Sequence, residues 1–208
     1  MSPSFREADP QSPAAAGKLS SRLVLQFCGF GGQGIVLSSV VFGTAAVIGA
    51  RLNAVHTQSY GSESRGGECQ AELLLSHEPI GSPVTEVVDI LVALSQQALE
   101  RYLVRLRPDG VLIFDPATVK VMELKGVRVL RVPASELAQQ IGPRIVANMV
   151  ILGFLQKITG LIEEEELLEA IRATVRQKFV ALDSRAAKLG MTYALEHYPE
   201  EVARKCAY

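Results

Sequence analysis

Gly29-Phe30-Gly31-Gly32-Gln33-Gly34 stands between an apolar strand-like run and a long apolar helix-like run. That junction is suited to holding an anion. Glycines let a ligand approach the backbone closely, and the first turn of a following helix presents unpaired N–H groups carrying partial positive charge. Gly29, Gly31, Gly32, Gln33 and Gly34 are therefore the candidate residues for binding a phosphate or another anion. Gly29, Gly31 and Gly34 also fit G-x-G-x-x-G, a pattern of low specificity alone.

A dinucleotide fold needs an acidic residue about 20 positions beyond the glycines, to hold a ribose hydroxyl. The corresponding stretch, Asn53-Ala54-Val55-His56-Thr57-Gln58, has none, which disfavours NAD. No Gly-Lys-Ser/Thr follows the glycines, so the Walker A loop is absent as well.

A second polar loop, Tyr60-Gly61-Ser62-Glu63-Ser64-Arg65-Gly66-Gly67, sets an arginine beside paired glycines. Its planar fork can engage a phosphate, a carboxylate or a partner protein. A surface turn with an incidental arginine accounts for the spacing equally well. His56 reads as a strand-end histidine hydrogen-bonded to a loop. Asp89 and Asp115 read as strand-end or capping carboxylates as readily as catalytic ones. Cys28, Cys69 and Cys206 are an odd set without C-x-x-C spacing, which excludes an iron–sulfur or structural zinc site built by this chain alone. Cys28 is read as a buried apolar thiol in preference to a nucleophile.

The elements that must position these residues follow from patterning. Arg22–Cys28 is a predicted strand and Gly32–Ile48 a helix apolar nearly all round, hence buried. Strands are expected over Arg51–Thr57, Glu68–Ser76, Val87–Leu94, Val111–Asp115 and Val127–Val132, with a turn at Pro108-Asp109-Gly110. A helix starts at Ser95 or Gln96, with Leu99, Leu103 and Leu106 on one face. Further helices are expected over Ala134–Ile141, Pro143–Thr159 and Glu163–Phe179, and a last one capped by Asp183 and running through Leu195. Strands alternating with helices imply an α/β fold: one three-layer domain with a mixed, largely parallel sheet and a glycine-rich strand–loop–helix.

At 208 residues the chain forms one domain over residues 21–208, preceded by a Ser/Pro/Ala-rich tail at 1–20 that is expected to be disordered. The net charge of −1 and the absence of Trp argue against a nucleic-acid surface. No apolar run reaches the roughly 20 residues of a membrane span. These features point to a cytoplasmic protein with neither nucleic acid nor membrane as partner.

Phe27-Cys28-Gly29-Phe30-Gly31-Gly32-Gln33-Gly34, followed by Tyr60-Gly61-Ser62-Glu63-Ser64-Arg65-Gly66-Gly67 and the acid-bearing strand Val87–Leu94, resembles the gamma subunit of 2-oxoacid:ferredoxin oxidoreductases. The resemblance runs from about Arg22 to Leu195 and includes Asn148-Met149-Val150-Ile151-Leu152-Gly153. It implies a subunit of an enzyme that oxidatively decarboxylates a 2-oxoacid, 2-oxoglutarate being preferred, to an acyl-CoA with reduction of ferredoxin. It places thiamine diphosphate, Mg²⁺ and [4Fe-4S] clusters on partner alpha and beta subunits, with a ferredoxin-like delta subunit in some complexes. No cofactor is expected on this chain alone and no residue of it is expected to be catalytic. Coenzyme A is then the substrate that meets the first glycine loop. Tyr60, Ser64, Arg65 and Gly66 become interface or active-site-rim residues. A reading of another class, a stand-alone nucleotide-binding or regulatory α/β module, would use the same loop.

Overall fold

A strand buried on both faces needs apolar residues at odd and even positions, and Arg22–Phe30 supplies them as strand β1. Leu23, Leu25 and Phe27 enter one core, while Val24 and Cys28 enter a second core across the sheet. The computed structural model describes residues 22–60, 67–121 and 124–204. The remaining elements are helix α1 (Ile35–Ile48), strands β2 (Asn53–Tyr60), β3 (Glu68–Ser76) and β4 (Val88–Ala93), helix α2 (Gln96–Tyr102), strands β5 (Leu106–Phe114) and β6 (Arg128–Arg131), and helices α3 (Ala134–Gln139), α4 (Ala147–Thr159), α5 (Glu164–Thr174), α6 (Gln177–His197) and α7 (Pro199–Arg204).

The sheet has six strands in the order β2-β3-β1-β4-β5-β6. β1, β4, β5 and β6 are mutually parallel, and β3 runs antiparallel to both its neighbours, so the sheet is mixed and largely parallel as expected. The helices distribute unequally. α1, α4, α5 and α6 bury the larger core, whereas α2 is the main helix over the smaller one. The helix after β1 crosses one face and the helix after β4 the other. A crevice therefore opens at the C-terminal ends of these adjacent strands, the usual ligand position in open α/β sheets.

α4 and α6 cross with their backbones nearly touching. A Cβ at Gly153 would lie 1.8 Å from the Ala187 carbonyl oxygen, and one at Gly190 would lie 1.9 Å from that of Val150. Only glycine fits at either place, and this crossing sets the position of α6 beside the glycine loop.

Several boundaries differ from the sequence expectation. The expected helix over Glu163–Phe179 breaks at Val175 and Arg176, whose ψ angles of 146° and 134° are extended, and α6 starts at Gln177. Asp183 consequently lies inside α6, buried, and does not cap it. The Pro108-Asp109-Gly110 signal produces an irregularity within β5: Asp109 adopts φ 66°, and the β4–β5 register skips between Val88 and Ile90. α2 ends at Tyr102 and a single 3₁₀ turn carries Leu103, so Leu106 begins a strand instead of extending a helical stripe. β2 extends to Tyr60, which places His56 mid-strand.

Candidate functional site

The glycine cluster spans the end of β1 and the entry to α1, with Gly29 and Phe30 still in the strand. Gln33 holds the loop closed. Its Oε1 accepts the Phe30 N–H at 2.7 Å and its Nε2 donates to the Leu94 carbonyl, beyond the end of β4, at 2.9 Å. The Gly31 N–H donates to the Gly67 carbonyl at 2.9 Å, tying the loop to the start of β3. Gln33 and Gly31 thus shape the cradle through bonds within the chain.

What the loop leaves open is the backbone around Gly32 and the first turn of α1. Gly32 has φ 95° and nothing within 4 Å of where a Cβ would stand. Gly34 takes the left-handed conformation, φ 77°, before α1, and a Cβ there would meet the Asn148 side chain at 2.4 Å. The N–H groups opening α1 have no acceptor within the helix and face outward with partial positive charge.

Two cavities meet across this loop, with Phe30, Gly32, Ile145 and Asn148 shared between their walls. The first, about 550 Å³, runs toward α6 and is lined by Ile35, Val36, Tyr60, Met149, Arg176, Phe179 and Asp183 among others. The second, about 600 Å³, follows the crevice over the strand ends and is lined by Ser95, Asp115, Thr118, Ser135 and Arg144.

In the second cavity Asp115 is fully committed: its two oxygens accept the Ala117 N–H at 2.9 Å and the Ser135 N–H at 2.8 Å. It is a strand-end carboxylate that shapes loops. Arg144 donates through Nε to the Ser135 hydroxyl at 2.8 Å, and its two terminal nitrogens have no partner among the described residues. A guanidinium fixed by one edge and open at the other suits a phosphate oxygen.

Tyr60 ends β2 with its side chain on the first cavity, 61% exposed. Ser64, Arg65 and Gly66 lie outside the described residues, as does Cys206. Asp89 accepts the Val24 N–H at 2.8 Å and pairs with Arg107 at 2.8 Å, a clasp at the opposite end of β4. Cys28 is buried, and desolvation, helped by Glu68, pushes its thiol far above the ordinary range, so it is a protonated core residue. Among the described residues His56 has no loop partner and its buried Nε2 no hydrogen bond, and desolvation lowers its pKa from an ordinary 6.5. Among the described residues no group of three or more His, Cys, Asp or Glu could hold a metal ion, and no helix is long and apolar enough to cross a membrane.

Sequence reasoning passed over Arg144, Arg176 and the placement of Asp183. Arg144 follows Gly142-Pro143, a rigid turn that delivers it to the crevice. That turn is its only local signal, because the crevice is assembled from segments far apart in the chain.

The family model for pyruvate ferredoxin/flavodoxin oxidoreductase matches residues 24–193. The 2-oxoglutarate synthase subunit KorC of Methanothermobacter marburgensis is 42% identical over 161 residues, covering 74% of this chain and 87% of that protein. The crystal structure of a keto/oxoacid ferredoxin oxidoreductase gamma subunit from Geobacter sulfurreducens superposes with a TM-score of 0.73 at 33% identity, covering 84% of this chain and 99% of that one. The 2-oxoglutarate:ferredoxin oxidoreductase of Magnetococcus marinus shares the fold, with a TM-score of 0.76 over 85% of this chain and 32% of that one at 22% identity.

Proposed function

The chain belongs to the pyruvate ferredoxin/flavodoxin oxidoreductase family, and from that membership we propose that it works as the gamma subunit of a 2-oxoacid:ferredoxin oxidoreductase complex, with 2-oxoglutarate as substrate. The complex decarboxylates the 2-oxoacid, transfers the acyl group to coenzyme A and passes the electrons to ferredoxin. What carries this reading is the 42% identity with the 2-oxoglutarate synthase subunit across 87% of that protein's length. Thiamine diphosphate with Mg²⁺ and the iron–sulfur clusters belong in this reading to the alpha and beta partners, or to a ferredoxin-like delta subunit. They supply the decarboxylation and the electron path.

This chain's share is to bind and orient coenzyme A. The pyrophosphate rests on the backbone at Gly32 and Gly34 and on the first turn of α1, with Gly31 and Gln33 shaping the loop beneath it. Arg144 adds a charge-assisted contact from the rim of the crevice. Gly29 and Gln33 hold the loop in shape. Tyr60, Ser64, Arg65 and Gly66 are assigned in this reading to the interface with the catalytic partners or to the active-site rim.

An affinity tag on this chain should bring down the catalytic subunits and a complex that reduces ferredoxin with 2-oxoglutarate and coenzyme A. Arg144→Gln should raise the coenzyme A KM about tenfold and leave the 2-oxoglutarate KM unchanged. Gly32→Asp should raise it more than Gly32→Ala, because both carry the strain of φ 95° and only the first adds a carboxylate. A tagged chain that purifies alone, or that reduces a dye with a 2-oxoacid without partners, overturns the assignment. Unchanged coenzyme A kinetics in both variants removes the cradle.

A further inference from the structure

The cavity beside the glycine loop contains a largely buried carboxylate that no described residue engages. Asp183 is 6% exposed and lines the cavity of about 550 Å³ with Phe30, Tyr60, Met149 and Phe179. It has no hydrogen bond or ion pair among the described residues. Desolvation alone raises its pKa above the ordinary 3.8. A buried carboxylate without a partner costs free energy, and an apolar residue would remove that cost. Its presence on the wall of a cavity points to a ligand that supplies the missing donor.

The rest of the wall says which donor. Gly34, Ile35 and Val36 bring the positive end of α1 to the same cavity, and Arg176 adds a cation. A second full cation is disfavoured there, so the donor is a neutral N–H. Elsewhere the wall is mostly apolar and partly aromatic, with Phe30, Ile35, Tyr60, Met149 and Phe179 and with Asn148 and Thr174 as polar exceptions, which suits a flat ring. A volume of about 550 Å³ is that of a small-molecule site. The ligand therefore carries an anionic group at the glycine loop, a flat apolar body and a neutral donor edge.

An adenine nucleotide has all three. We propose that this cavity is the base pocket of the site, with Asp183 accepting a hydrogen bond from the exocyclic amine of the adenine ring of coenzyme A. The inference rests on the reading of the glycine loop as the coenzyme A cradle and adds the residue that specifies the base.

The test uses the complex purified through a tag on this chain, with coenzyme A compared to 1,N6-etheno-coenzyme A, whose bridged amine has no N–H to donate. The wild-type complex should show an etheno-coenzyme A KM about tenfold above that for coenzyme A, with little change in kcat. In Asp183→Leu the coenzyme A KM should rise to the etheno value and the discrimination should vanish. Asp183→Asn, which keeps an acceptor oxygen, should retain part of it. Asp183→Leu should also melt no lower than wild type, since it removes an unpaired buried carboxylate. Equal KM values for the two ligands in the wild type overturn the proposal, as does discrimination that survives in Asp183→Leu. Loss of partner subunits from Asp183→Leu with coenzyme A kinetics intact overturns it too, and gives the cavity to a partner's side chain. Failure of the underlying cradle reads differently, as an unchanged coenzyme A KM in both Arg144→Gln and Gly32→Asp.

Discussion

Gln33 and Leu94 are joined across the point where the helices after β1 and β4 diverge: the Gln33 Nε2 donates to the Leu94 carbonyl at 2.9 Å across 61 positions of sequence. The other end of the same amide closes the loop on the Phe30 N–H. Gln33→Ala should leave both groups without this partner and loosen the cradle. The expected result is a Tm decrease corresponding to about 1–3 kcal/mol and a several-fold higher coenzyme A KM in an assembled complex. Calorimetry and steady-state kinetics on the same preparation measure the two effects.

Gly34 meets two requirements at once, a φ of 77° and the Asn148 side chain 2.4 Å from where a Cβ would stand. Gly34→Ala should destabilise by about 2 kcal/mol or more. Gly81→Ala, where a Cβ meets nothing within 4 Å, is the control and should change stability by less than about 1 kcal/mol. Urea midpoints of the two variants check the contrast.

The α4–α6 crossing leaves no room for a methyl group. Gly190→Ala would drive a Cβ to 1.9 Å from the Val150 carbonyl oxygen and should cost about 3 kcal/mol or more, since backbone must move to admit it. Because α6 carries Asp183 and Phe179, the variant should also change the cavity. Loss of the wild-type preference for coenzyme A over its etheno derivative, in whatever fraction folds, is the readout.

His56 gives a pH dependence of defined sign. Burial against α1 and Leu73 lowers its pKa from 6.5, and the Nε2 has no acceptor. The folded state therefore binds its proton less readily than the unfolded state does. Above the unfolded value both forms are neutral and stability is at its full level. As pH falls below about 6.5 the unfolded chain protonates first and stability drops, until the folded pKa is passed and the loss is complete. Thermal melts between pH 8 and 5 should show this decline, and His56→Gln should flatten it.

The order of strands and helices was legible because each apolar run had one periodicity and one set of end signals. Gly160, for example, closes α4 in the left-handed conformation that its position implied. The break before α6 was not legible, because no Gly or Pro marks it. Thr174 and Val175 are β-branched residues that helices also carry. That missed break is what turned Asp183 from an expected cap into a cavity wall. The strand–loop–helix at the glycines was readable from their spacing because the loop is local. Arg144 and Asn148 reach it only through the packing of α4, and no window of sequence around residue 30 contains them. The turn expected at Pro108-Asp109-Gly110 is not formed: the segment stays inside β5, with the positive φ on Asp109 and not on Gly110, because β4 supplies a partner on both sides of it.

The antiparallel and parallel neighbours of β1 follow it by about 40 to 65 residues, β3 pairing Phe30 with Glu68 and β4 pairing Cys28 with Ala93. A ribosome releases the chain from the N-terminus, so the glycine segment emerges well before either neighbour. Its cradle has no folded form until the strand ending at Ala93 has left the exit tunnel, because Leu94 supplies the acceptor that closes it. Until then the most apolar helix of the molecule, α1, waits without a sheet to cover. Closure of the loop during synthesis therefore depends on the chain as far as Leu94.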